Sequence, residues 1–271
     1  MTDSNNAAPE LDTLTVAAIA LLAYMLGNLL HEGAGHGGAC QLVGGKPLVL
    51  SSVHFECSVD ARLVDAGGTL ANFIAAAVFF VLGRLTTQLH PRWKYFFWIA
   101  MTINLFTAAG YFLFSGIGGI GDWAEFMRGV HPQRLWRAGM TVFGAAAYAA
   151  VAWVSVLELR PLIGSDIGQR YRRAVRLSII PYFFGGVLMC LAGARNPRGA
   201  MLVLISAAAS TFGGTSGLLW DTQWLRSARM IPPGLPSEAL PIRRSWALIA
   251  TAATAVVAFV AVMGPGVRFV R

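Results

Sequence analysis

Apolar residues in this chain gather into long runs instead of alternating with polar ones, and those runs have the length of bilayer spans. Crossing roughly 30 Å of hydrocarbon takes about 17–25 mostly apolar residues in a helix. Seven runs meet or approach that length: about Thr13 to Leu30, Leu70 to Leu85, Tyr95 to Phe114, Ala138 to Leu157, Leu177 to Ala192, Ala200 to Trp220 and Trp246 to Met263. The second and fifth are short enough to be tilted, half-buried or re-entrant. The pattern predicts an all-α integral membrane protein with about seven transmembrane helices. Asp3, Glu10 and Asp12 precede the first run. A cleaved signal peptide carries positive charge there, so the run is read as a retained helix.

Between the first two runs lies the one sizeable loop near the start, Gly37 to Gly67. After the Gly44-Gly45 break, the stretch from Lys46 to Phe55 has strand-like composition and predicts a short β-hairpin or re-entrant loop packed against protein. No long linker, repeat or low-complexity tract divides the chain. The expected organisation is a polar segment (1–12), a membrane core (13–125) and further transmembrane helices of the same domain (126–271).

Composition supports this picture. Hydrophobic residues make up 56% and charged residues 13%, with a mean hydropathy of +0.59. That leaves too little polar surface to cover a water-soluble fold. The formal charge is +8, and the chain is basic between the apolar runs, at Arg170, Arg172, Arg173, Arg176, Arg226, Arg229, Arg243 and Arg244. Topology and contact with anionic lipid headgroups account for it, with no nucleic acid partner expected. Lys and Arg counted on alternate sides favour a cytoplasmic amino-terminus. Cys40, Cys57 and Cys190 are odd in number and widely spaced, which points to neither a disulfide framework nor a zinc-binding CxxC pair.

Against this apolar background one cluster stands out. His31, Glu32 and His36 fall within six residues at the end of the first run. Ionisable groups at membrane depth are costly and mark function. Neutral imidazoles bind zinc, and a carboxylate beside the ion takes a proton from water. The usual helical arrangement is H-E-x-x-H, because residues i and i+4 share a face. Here the histidines are five apart, about 140° around a regular α-helix. Two arrangements restore a shared ion. A π-bulge brings i and i+5 onto one face, a distortion that Gly33, Gly35 and Gly37 make cheap; alternatively Glu32 and His36, at i and i+4, are both ligands.

A third ligand is needed. Asp122, in the glycine-rich Gly118-Gly119-Ile120-Gly121-Asp122-Trp123, is preferred because that setting allows close backbone placement. Asp221 is the main alternative, with His54 and Cys57 behind it. Asn72 and Asn104 lie inside apolar runs, and buried amides must find partners. They either bond between helices or bind substrate, holding an extended backbone or a developing oxyanion.

Together these residues resemble the M50 family of membrane-embedded zinc metallopeptidases, the site-2 protease group. The likeness begins at His31-Glu32-Gly33-Ala34-Gly35-His36 with Gly44-Gly45-Lys46. It continues at Ala66-Gly67-Gly68-Thr69-Leu70-Ala71-Asn72, where Gly68 stands in place of the family's proline, and runs from Asn104 to Asp122. Tyr111 and Gly121-Asp122-Trp123 resemble M50B-like members most. The likeness covers roughly residues 14–125. It implies a Zn²⁺ cofactor held by His31, His36 and Asp122, with Glu32 as the water-activating base.

The expected function is therefore zinc-dependent endopeptidase activity within or near the bilayer, on a membrane-protein or peptide substrate and in contact with membrane lipid. The Gly37–Gly67 segment is expected to pair with an unwound substrate by strand addition. The expected location is the bacterial cytoplasmic (inner) membrane, crossed several times. The rival readings are a non-catalytic membrane protein retaining the metal site and a small-solute transporter. The chain lacks the two-fold repeat that usually accompanies the latter.

Overall fold

The computed structural model describes residues 10–85, 90–199, 203–226 and 234–269. Helices dominate them. Helix α1 (Thr13–Asn28) passes without a break into a π-helical segment (Leu29–Gly37) and then α2 (Gly38–Leu42). Long helices α3 (Arg62–Leu85), α4 (Pro91–Gly118), α6 (Gln133–Ile163) and α7 (Ile167–Gly193) follow, with the short α5 (Asp122–Phe126) between α4 and α6. A second π segment (Val203–Gly213), α8 (Gly217–Arg226) and α9 (Trp246–Val262) complete the helices.

Among the described residues, five helical stretches are long and apolar enough to cross a membrane: Thr13–Leu42, Arg62–Leu85, Pro91–Gly118, Gln133–Ile163 and Ile167–Gly193. That is the mark of a multi-pass membrane protein. The last two of the seven expected spans are not among them. Residues 200–202 of the sixth lie outside the described residues, and its remainder is broken by a turn at Gly214–Ser216 between the second π segment and α8. The seventh forms α9, an apolar helix of 17 residues and about 25 Å in length.

α1 is the central element. Val16, Ala20 and Ala23 are fully buried, and the helix packs on α4, α7 and α9. Such small side chains let neighbouring helices come close when lipid supplies no hydrophobic drive. Outward faces are the reverse, with Ile74 66% and Val257 70% exposed, as suits surfaces that meet acyl chains. Asp12 caps α1, accepting from Thr15 N at 2.9 Å and Thr15 Oγ1 at 2.8 Å, and Arg244 Nε donates to it at 2.9 Å.

At the other end of α1 the expected hairpin is present. β1 (Pro47–Leu50) pairs antiparallel with β2 (Phe55–Cys57), Leu50 opposite Phe55. Two features were not foreseen. A third strand, β3 (Val267–Arg268), pairs with the free edge of β1, giving the order β2-β1-β3. Cys40 and Cys57 form a disulfide, tying α2 to β2. Three widely spaced cysteines pointed to no disulfide framework; Cys190 is the free one.

Candidate metal centre

The π segment decides how the cluster is presented. One extra residue per turn brings positions five apart onto one face, and both His31 and His36 lie in Leu29–Gly37. Their Nε2 atoms are 3.3 Å apart. Asp122 Oδ2 stands 3.3 Å from His31 Nε2 and 3.5 Å from His36 Nε2. The structure thus brings together the three expected ligands, by the first of the two arrangements open to the sequence.

Glycines allow this convergence. A Cβ at Gly35 would lie 2.6 Å from the Gly67 carbonyl oxygen, so the π segment and α3 cross in backbone contact. At Gly68 a Cβ would fall 2.5 Å from both His31 Nε2 and His36 Nε2. The imidazoles fill the space that any side chain there would need. Asp122 arrives through a turn with positive φ at Gly119 (68°) and Gly121 (89°), a conformation glycine adopts without strain. Trp123 anchors the turn, donating to Thr69 Oγ1 at 3.2 Å and stacking on Phe112.

The hydrogen bonds set the protons. Asn104 Nδ2 donates to the Ala100 carbonyl at 2.7 Å, an oxygen that only accepts. That orients the Asn104 amide, so its oxygen takes a bond from Asn72 Nδ2 at 2.6 Å. The Asn72 oxygen is then left for His31 Nδ1, 2.6 Å away, which must be its protonated nitrogen. His36 Nδ1 likewise donates to the Val64 carbonyl at 2.6 Å. In neutral imidazoles the lone pairs then sit on the two Nε2 atoms. Both asparagines are 1% exposed and serve this relay; Asn104 also borders the adjoining cavity.

Two lone pairs and a carboxylate oxygen therefore face one point. Asp122 Oδ2 is buried with no hydrogen-bond partner among the described residues. Three acceptors at this range repel unless a cation lies between them. Donors about 2.0–2.1 Å from a tetrahedral zinc lie about 3.3–3.4 Å from one another, the spacing found. His31, His36 and Asp122 form the group that could hold a metal ion among the described residues.

Glu32 is 5% exposed and borders a polar cavity of about 60 Å³ with His31, Asn28, Ser52, Thr107 and Tyr111. The hairpin roofs this chamber. Asn28 Nδ2 donates to the Ser52 carbonyl at 2.9 Å, and Phe55 stacks over His36 with ring centroids 6.4 Å apart. Tyr111 stacks on His31 at 4.8 Å.

The alternative ligands lie apart from the group. Asp221 is fully buried and accepts from Ser155 Oγ at 2.6 Å. His54 pairs with Glu56 at 3.1 Å; burial, then Arg198 and His36, lower its pKa to about 4. Cys57 is held in the disulfide. Sequence reasoning missed the Val64 carbonyl, which has no side-chain signal, and the stacking of Phe55.

Comparison with known protein families, curated proteins and solved structures finds no match to this chain.

Proposed function

We propose that this chain is a membrane-embedded zinc endopeptidase of the M50 kind, acting on peptide bonds within or near the bilayer of the bacterial cytoplasmic membrane. The observation that carries the reading is the convergence of His31 Nε2, His36 Nε2 and Asp122 Oδ2 at 3.3–3.5 Å, with the far nitrogen of each imidazole engaged by an acceptor. Oriented, partnered histidines of this kind are characteristic of metal ligands. Glu32, next to His31 on the cavity wall, supplies the remaining group that peptide hydrolysis requires.

Zinc at this position supplies Lewis acidity toward a carbonyl oxygen and toward water. The protein's own residues do the rest. His31 and His36 offer neutral nitrogen donors because their Nδ1 protons are committed to Asn72 and Val64. The Glu32 carboxylate accepts a proton from the attacking water and returns it to the departing amide nitrogen. The hairpin and Tyr111 wall off the chamber, which limits bulk water. The edge of β2 away from β1 is the strand edge to which an unwound substrate adds; β3 already occupies the other edge of β1.

The test is cleavage of a membrane-spanning peptide by purified protein in lipid, alongside measurement of bound zinc. Glu32→Gln is expected to lower the cleavage rate by about 10²–10⁴ with zinc retained. His31→Ala, His36→Ala and Asp122→Ala are each expected to lose the metal. Zinc retention with cleavage unaffected by Glu32→Gln would sink the mechanism and leave a structural metal site.

A further inference from the structure

The polar chamber beside Glu32 is not isolated. Thr107, Tyr111 and Ser210 border it and also border a second cavity of about 400 Å³. This larger space lies between α4, α6, the second π segment and α8, and its other walls include Leu113, Phe114, Ile117 and Trp220. Tyr111, whose ring lies against His31, is thus the common wall between a small polar chamber and a large apolar one.

The apolar cavity is also braced. The Tyr148 hydroxyl donates to the Gly214 carbonyl at 2.8 Å and accepts from Gly217 N at 2.7 Å, fixing the turn between the second π segment and α8. Gly110 approaches the same turn so closely that a Cβ on it would lie 3.2 Å from Gly214 Cα. A preformed apolar pocket opening onto a few polar groups is the usual form of a site that sorts ligands by one side chain.

We propose that this cavity is a side-chain specificity pocket, taking a leucyl or phenylalanyl side chain of the residue that adjoins the peptide bond held at the metal centre. The proposal rests on the peptidase reading and names its substrate class. Burial of a large apolar side chain is favourable, whereas a carboxylate entering the same space is desolvated without a partner. Adjacency to the Glu32 chamber selects this occupant: Thr107, Tyr111 and Ser210 line both spaces, so the pocket lies beside a backbone held at the metal, at the reach of one side chain.

Gly213 offers a handle, because it borders the pocket and a Cβ on it meets nothing within 4 Å. The experiment uses zinc-loaded protein and four peptide hydroxamates, identical except for one alanyl, leucyl, phenylalanyl or aspartyl side chain, with binding followed by calorimetry. The leucyl and phenylalanyl compounds are expected to bind at least about tenfold more tightly than the alanyl one, with the aspartyl compound weakest. Gly213→Leu is expected to shrink that preference to about twofold, with zinc retained.

Equal affinity for the alanyl and leucyl compounds, binding of none, or a preference untouched by Gly213→Leu overturns the proposal. A fifth hydroxamate with a straight octyl side chain that binds more tightly than the leucyl and phenylalanyl compounds overturns it too, the behaviour of a lipid-chain groove. Cleavage of matching peptides separates the two readings. Side-chain preference in binding without any cleavage sinks the peptidase and keeps the pocket. Cleavage indifferent to the side chain sinks the pocket and keeps the peptidase.

Discussion

Gly68 shows how much a single missing side chain can matter. Both imidazoles stand where its Cβ would be. Gly68→Ala is expected to displace them and abolish stoichiometric zinc binding, as measured by elemental analysis of the purified protein. Gly33→Ala is the control. It lies in the π segment that carries both histidines, its Cβ would meet nothing within 4 Å, and zinc content is expected to be unchanged. At this scale much could be read beforehand, because charge is scarce: His31, Glu32, His36 and Asp122 are conspicuous in a chain with 13% charged residues. The relay from Ala100 through Asn104 and Asn72 to His31 could not be read, since buried amides satisfy one another and bind substrates equally well. Its direction depends on a backbone carbonyl that no side chain announces.

Among the elements, the hairpin matters most for the site. Its composition foretold the strands, but the disulfide that secures it stayed hidden, because three cysteines spaced at 17 and more residues carry no pairing signal. Cys57→Ser frees β2 from α2. Bridging a loop of this length is worth about 3 kcal/mol, and denaturant unfolding in detergent is expected to show a loss of that size. Reductant is expected to bring the wild type to the same level and leave the variant where it is. The π segment was one of two arrangements compatible with a five-residue histidine spacing. It prevails here along a helix with glycines at 33, 35 and 37, where Gly35 lies against the Gly67 backbone. In the sixth apolar run, hydropathy alone does not register the turn at Gly214–Ser216 that separates the second π segment from α8.

Across the whole molecule, two closures hold the bundle at opposite ends of α1. At one, Asp12 caps that helix and binds Arg244 ahead of α9. Burial raises the Asp12 pKa, but bonds from Thr15 and the nearby Arg244 outweigh it, leaving the carboxyl below its ordinary value. A depressed carboxyl stabilises the fold fully above its unfolded pKa of about 3.9, and the contribution is lost as pH falls through the folded value. Thermal unfolding is expected to show Asp12→Ala less stable than wild type at pH 7, by about 1 kcal/mol for the cap. That gap is expected to close below about pH 4. At the other end, Ser52 N bonds the Met263 carbonyl at 2.8 Å, Phe269 N bonds the Leu48 carbonyl at 3.0 Å, and β3 completes the sheet. This second closure has a consequence for biogenesis. The ribosome has delivered every proposed metal ligand once Asp122 is made, yet the last ties on the roof over Glu32 form only after residues 263–269 have followed. A nascent chain can therefore bring the three candidate ligands together long before the sheet above them is complete, so the surroundings of the site mature last.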